Sequence, residues 1–274
     1  MSVTWDDGTP PEPVHIGPAG WLRIALRGLS IVAVIGVGLL CLLSLYGAER
    51  AVGIRDRRWS AWVTVIVCRI ALRLIGLSVH RIGAPMTGRG AMVANHTSWL
   101  DIFVLNAGAP LVFVSKSEVA GWPGIGWLAR ATGTLFIQRT RTAAKAHTQA
   151  LAARLHQGAR PLFFPEGTST DGQQVLPFKT PLFEAFLNPE LPQDLQVQPV
   201  SVRYHAPQGH DARVYGWWGD MGFGPHLLST LALARQGRVQ VVYHPPLDVR
   251  APGSRKALAA QAEQAVRQGH AASA

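Results

Sequence analysis

The feature that most constrains this chain is a stretch with no charge at all, Gly28 to Gly47, whose core from Ile31 to Tyr46 is rich in Ile, Val and Leu. At roughly 1.5 Å per residue, a helix over that stretch reaches about 30 Å, the thickness of a bilayer's hydrocarbon core. A membrane helix is therefore expected over about 28–47. Arg23 and Arg27 flank one end, and Arg50, Arg55, Arg57 and Arg58 flank the other. The positive charge thus gives no clean orientation for a single span and suits a re-entrant or hairpin path as well. A second apolar stretch, 61–79, is interrupted by Arg69 and Arg73, which share a helical face and point to an amphipathic helix at the interface. Residues 21–79 together read as a membrane-associated helical segment. Residues 1–20, with Asp6, Asp7, Pro10, Pro11, Glu12 and Pro13, read as a flexible arm and not as the basic start of a signal peptide.

Beyond residue 80 short apolar runs alternate with helical patterns. Strands are expected at Ala91 to Ala94, Leu111 to Ser115, Leu135 to Gln138, Pro161 to Phe164, Val197 to Tyr204 and Val239 to Tyr243. Helices are expected at Trp99 to Ala107, Gly124 to Thr132, Arg141 to Gln157, Pro181 to Leu187 and Arg255 to Gln268. Such alternation specifies an α/β fold, a layered and largely buried sheet flanked by helices, over 80–268. Residues 269–274 read as a disordered tail. With 274 residues, there is room for this one domain and its membrane-anchoring appendage. Lys and Arg number 26 against 16 acidic residues, a formal charge of +10, so the partners are anionic. No zinc-finger, basic-zipper or RNP-like pattern accompanies that charge, and the apolar segments favour a membrane surface over nucleic acid. Cys41 and Cys68 both lie within apolar segments and read as small buried hydrophobes, with neither disulfide nor metal spacing.

Two constellations carry chemistry. Asn95, His96, Thr97, Ser98, Trp99, Leu100 and Asp101 directly follow an expected strand, where α/β enzymes hold reactive groups. On an ideal helix His96 and Asp101 would lie about 140° apart, so only a strand-to-helix turn brings them together. With Ser98 as N-cap, Asp101 falls at the third helical position and its carboxylate can face back to the turn. Asp101 then orients His96 and leaves the other ring nitrogen to take a proton from a hydroxyl, with no serine or cysteine nucleophile required. The alternative is that Ser98 and Asp101 form only a capping box. No second histidine stands at metal-ligand spacing, so no metal is expected. The second constellation, Phe163 to Thr170, packs Glu166, Gly167, Thr168, Ser169 and Thr170 into one turn. Gly167 permits a positive φ and close backbone approach, and the hydroxyls suit a polar head group, or serve an ordinary capped turn.

In these motifs the chain resembles the glycerolipid acyltransferases typified by 1-acyl-sn-glycerol-3-phosphate acyltransferase. His96 and Asp101 match the family's His-x4-Asp motif, and Gly133 to Arg139 resembles its second, arginine-terminated motif. Phe164 to Thr168 matches Phe-Pro-Glu-Gly-Thr, and Val197 to Val200 resembles the fourth motif, with its proline at Pro199. Lys116, Glu118, Pro123 and Gly126 fall in the usual pattern between the first two motifs. The resemblance implies a membrane-bound O-acyltransferase in which His96 and Asp101 are catalytic and Arg139, Glu166, Gly167, Thr168, Asn95 and Lys116 meet the substrate. It implies no bound cofactor, with acyl-CoA or acyl-carrier protein as the acyl donor. It also implies residence in the cytoplasmic (inner) membrane, active site toward the cytoplasm. The acceptor expected first is 1-acyl-sn-glycerol-3-phosphate, giving phosphatidic acid. The phosphatidate-forming members, however, carry an arginine directly after Phe-Pro-Glu-Gly-Thr, where this chain has Ser169. Members acting on lyso-ornithine lipid are similar here and in the run Tyr215, Trp217, Trp218, Gly219 and Asp220. Ornithine lipid is therefore the alternative, with Asp220 a candidate partner for its amine. A non-catalytic protein that binds anionic lipid is the reading from another class.

Overall fold

Gly76 decides where the membrane-associated helices stop and the sheet begins. It adopts φ 90°, a left-handed conformation that suits glycine at a helix C-terminus, and its N–H and that of Leu77 both close onto Leu72 O. Helix α2 consequently spans Ser60–Ile75 and not 61–79, and the residues beyond form a strand, β1 Ser78–Ile82. The computed structural model describes residues 5–54, 56–138 and 144–273.

Helix α1 runs Pro18–Ala51, longer than the uncharged stretch, with Pro18 in its first turn, where a missing N–H costs nothing. Among the described residues it is the one helix long and apolar enough to cross a membrane, by length and composition. It does not stand alone. One face packs on α2, and the crossing is close because position 38 is glycine: a Cβ there would lie 2.2 Å from Val67 Cγ2. The opposite face leaves Leu26, Leu29, Val32, Val37 and Leu40 more than half exposed, alongside Ile66 of α2. Cys41 belongs to that exposed face, whereas Cys68 is buried as expected. At the C-terminal end, buried Glu49 accepts from the amides of Trp59 and Ser60 and from the Ser60 hydroxyl, a carboxylate at the N-terminus of α2.

The remaining strands are β2 Gly90–Ala94, β3 Val112–Lys116, β4 Leu135–Ile137, β5 Pro161–Phe163, β6 Gln196–His205, β7 Arg238–Tyr243 and β8 Leu247–Asp248. They form one mixed sheet in the order β1-β7-β6-β2-β5-β3-β4, with β8 also on β6. From β6 to β4 all pairs are parallel, while β7 is antiparallel to β6. Helices α3 Leu100–Asn106, α4 Ile125–Ala131, α5 Ala144–His156, α6 Phe223–Ala232 and α7 Arg255–Ala272 complete the fold. Every residue of β2 is buried. Met92 and Ala94 face a core shared with Leu72 and Leu100, while Ala91 and Val93 face another shared with Leu151 and Val266. Alternation along one strand thus seals both sides of a central parallel sheet.

Four departures from the sequence reading have local causes. Strand β1 and the short β8 are made by pairing with β7 and β6. Helix α6 opens on Gly222, Gly224 and Pro225, residues that read as a loop. The expected helix at Pro181–Leu187 is a 3-10 segment. The expected tail is ordered through Ser273, since α7 continues to Ala272. Gly269 and His270 lie against the sheet, His270 Nε2 bonds Gly172 O, and the Ser273 hydroxyl joins Gly269 O to Gln240. The expected arm 1–20 runs without regular structure from Trp5 to Gly17, and Asp7 there pairs with Arg213 at 3.1 Å.

Helix α6 is tied to α1 by two arginines. Arg23 Nε donates to Ala232 O at 2.7 Å, and Arg27 Nη1 donates to Leu231 O and Leu233 O at 2.8 and 2.7 Å. These are among the last carbonyls of α6, which lack partners within their own helix. Arg27→Met strands two of them, at a cost of about 1–3 kcal/mol. A lower denaturation midpoint in detergent is expected, and an unchanged midpoint would show the tether to be unimportant.

Candidate active site

At the C-terminal end of β2 the chain must leave the sheet, and Asn95 manages the exit. Its Nδ2 donates to Val202 O and its Oδ1 accepts from Val202 N, each at 2.8 Å. Asn95 therefore joins the end of β2 to β6; both amide groups are committed to backbone, in contrast to the substrate contact expected of it. The register Val93↔Pro199 sets the fourth motif beside the first.

Past Asn95 the turn closes on Asp101. Its Oδ2 meets His96 Nδ1 at 2.8 Å and accepts from the amides of Thr97 at 2.8 Å and Ser98 at 3.0 Å. Its Oδ1 accepts from the Tyr204 hydroxyl at 2.7 Å. Asp101 is wholly buried, and an isolated carboxylate there would be costly, so the four contacts are a condition of its presence. Only half of the capping box forms. Asp101 reaches back to Ser98 N, but α3 takes Trp99 as N-cap with no side-chain cap, and Ser98 Oγ finds no hydrogen bond. Tyr204 was not legible in the sequence, since 103 positions separate it from Asp101. Burial first, and the neighbouring carboxylate second, push its phenol well above the ordinary value, so it stays a donor.

The Phe-Pro-Glu-Gly-Thr turn holds the other side of His96. Phe164 stacks on the imidazole with ring centroids 3.9 Å apart and planes 11° from parallel. Glu166 Oε1 accepts from His96 N at 2.7 Å and Oε2 from Leu176 N at 2.8 Å. Burial pushes its pKa up to about 8, outweighing the opposite effect of the two amide hydrogen bonds. Gly167 takes φ 75°, and a Cβ there would sit 2.8 Å from Lys179 Nζ. Thr168 is largely buried, with its hydroxyl on Ser169 O at 3.3 Å. Lys116 closes β3, half-buried. Arg139 and Arg141 lie outside the described residues.

The segment after β6 completes the wall. Trp217 N donates to Thr97 O at 2.9 Å, and the Ser169 hydroxyl donates to Trp217 O. Trp217 meets Trp122 and Phe223 edge-on, and Trp99 packs on Phe223 and Phe103. Trp99 Nε1 donates to His226 Nδ1 at 2.9 Å, while burial lowers the pKa of His226 to about 4 and keeps it a neutral acceptor. The outcome is a histidine with Nδ1 held by a carboxylate, one ring face stacked, and a side chain 20% exposed. Its Nε2 makes no hydrogen bond among the described residues. Such a nitrogen can take a proton from an approaching hydroxyl beside an apolar aromatic wall.

A family model described as Acyltransferase matches residues 79–203. A lyso-ornithine lipid O-acyltransferase of Rhodobacter capsulatus is 52% identical over 97% of this chain and 96% of that protein, and the chain belongs to this acyltransferase family. A second lyso-ornithine lipid O-acyltransferase, from Rhizobium meliloti, is 36% identical over 81% of this chain and 76% of its own length. The crystal structure of the 1-acyl-sn-glycerophosphate acyltransferase of Thermotoga maritima shares the fold. It aligns with a TM-score of 0.57 over 89% of this chain and 96% of that one, at 21% identity. The protein is thus an enzyme of the lysolipid-acylating type.

Tyr204→Phe keeps the ring and removes one donor from a buried carboxylate, a loss of about 1.5–3 kcal/mol for a bond to a charged group. Turnover should fall roughly ten-fold or more while KM for the thioester stays within about two-fold. Wild-type turnover in this variant would show that Asp101 needs no support from β6.

Proposed function

We propose that the enzyme acylates the free hydroxyl of lyso-ornithine lipid, forming ornithine lipid. The observation that carries this reading is the 52% identity to a lyso-ornithine lipid O-acyltransferase along nearly the whole of both chains. Ser169 agrees with it. Where the phosphatidate-forming members carry a guanidinium suited to a phosphate fork, this chain has a hydroxyl engaged with the Trp217 carbonyl. Trp217 in turn precedes exposed Asp220, a carboxylate suited to the ornithine amine. The 1-acyl-sn-glycerol-3-phosphate acceptor, first in the sequence reading, becomes the second reading.

In the proposed reaction His96 Nε2 removes the acceptor's hydroxyl proton while Asp101, held by Tyr204 and two amides, stabilises the imidazolium. The acceptor oxygen attacks the thioester carbonyl, the C–O bond forms, the C–S bond breaks, and the imidazolium returns the proton to the departing thiolate. Such a base contributes about 10² to 10⁴ in rate, and positioning and oxyanion stabilisation supply much of the rest. Glu166 and Gly167 shape the turn beneath His96. Thr168, Lys116 and Arg139 are the proposed head-group contacts. The donor is an acyl-carrier protein or acyl-CoA, either of which suits a chain with a formal charge of +10. The site faces the cytoplasm, where such thioesters are made, from the inner membrane.

Purified membranes given a labelled acyl thioester should acylate lyso-ornithine lipid faster than lysophosphatidate in side-by-side assays. His96→Ala should abolish both transfers at normal protein level. Preference for lysophosphatidate would reverse the acceptor assignment, and undiminished transfer by His96→Ala would sink the mechanism.

A further inference from the structure

At the edge of the sheet remote from His96, four arginines surround one cavity. It has a volume of about 370 Å³ and lies between the C-terminal end of α1 and the helices α4 and α5, with Arg50, Arg57, Arg130 and Arg154 in its lining. The strand topology separates it from the active-site turn. His96 follows the C-terminal end of β2, whereas Gly133 in the cavity wall precedes the N-terminal end of β4, a parallel strand three places along the sheet.

Four guanidinium groups around one space repel each other unless an anion joins them. None of the four forms an ion pair with a carboxylate among the described residues. The nearby Glu49 carboxylate, hydrogen-bonded by Trp59 and Ser60, attracts Arg57 but supplies one negative charge against four guanidinium groups. The arrangement is also held in place deliberately. Arg57 is the one non-glycine residue with a positive φ among those described, 52°, an unfavourable conformation that surrounding structure must impose. It lies over the Tyr46 ring at 4.6 Å and donates to Ala131 O, while its Nε is buried with no hydrogen-bond partner. Gly133 makes the room, since a Cβ there would sit 2.6 Å from Arg57 Nη1. Leu43 stands on the rim and is 44% exposed. One helical turn back, on the same side of α1, is exposed Leu40.

We infer that this cavity binds the phosphate head group of an anionic membrane phospholipid, whose acyl chains lie along the exposed apolar face of α1. Arginine forks suit phosphate oxygens, the volume suits a small polar head group, and the apolar rim continues directly from the cationic floor. The site is separate from the acceptor's and seats the enzyme on an anionic bilayer.

The test uses the full-length protein in flotation with vesicles of phosphatidylcholine alone or mixed with phosphatidylglycerol. Phosphatidylglycerol should raise wild-type binding, and R50Q/R154Q should lose that gain by about 25-fold, the effect of two interfacial basic residues. R250Q/K256Q, which removes the same charge elsewhere, should stay within about two-fold of wild type. Equal losses in the two variants, or no response to phosphatidylglycerol, would overturn the inference. Displacement of wild type from the vesicles by millimolar CoA would also overturn it, because the cavity would then be reading a soluble phosphate. Turnover of R50Q/R154Q in neutral detergent micelles should equal wild type, so the outcome is independent of which lysolipid is the acceptor.

Discussion

A carboxylate with no exposure to water cannot be left with unfilled acceptor sites, and Asp101 organises much of this structure through that requirement. Its four donors come from the turn after β2 and from the far end of β6: the imidazole of His96, two amides, and the Tyr204 hydroxyl. For Tyr204 to arrive there, β6 must lie beside β2 in the observed register, and Asn95 pins that register by gripping Val202 from both sides. Glu166 repeats the device one strand away by accepting the His96 amide. The histidine is therefore held at its ring by the turn that follows β2, and at its backbone and its stacked face by the Phe-Pro-Glu-Gly-Thr turn.

The same turn is coupled to the apolar helix. Helix α6 carries Phe223 and His226 against Trp99 at its beginning, and its closing carbonyls are taken up by Arg23 and Arg27 of α1. A helix whose outer face is exposed leucine and valine is thus joined through α6 to the residue that caps α3. The contacts of α6 thus link the aromatic wall beside His96 to the apolar helix.

Much of the fold was legible because its signals are local. The buried run Ala91 to Ala94, the apolar runs of β5 and β6, and the Phe-Pro-Glu-Gly-Thr turn each declare themselves within a few residues. Strand β1 did not, because Ser78 and Val79 close the apolar stretch 61–79, His80 and Arg81 interrupt any apolar run, and only the left-handed Gly76 and the pairing with β7 make it a strand. Helix α6 was hidden by the glycines and proline at its start, and the ordered tail by contacts of His270 and Ser273 with Gly172 and Gln240, which are distant in sequence. In the site, His96 and Asp101 were readable as a pair, but the choice between a dyad and a capping box turned on Ser98, whose hydroxyl does not cap.

By itself the sequence determined the class of chemistry, since ordered motifs at His96, Asp101, Glu166 and Pro199 match one family, and it determined that an apolar helix precedes the domain. Only the tertiary structure decided what supports Asp101, what Asn95 binds, and how Arg23, Arg27 and Arg57 are used. The physical reason is range. Periodicity and turn chemistry act over a few residues, whereas the Tyr204 to Asp101 bond, the α1 to α6 tether and the four-arginine cavity join groups that meet only once the sheet has closed.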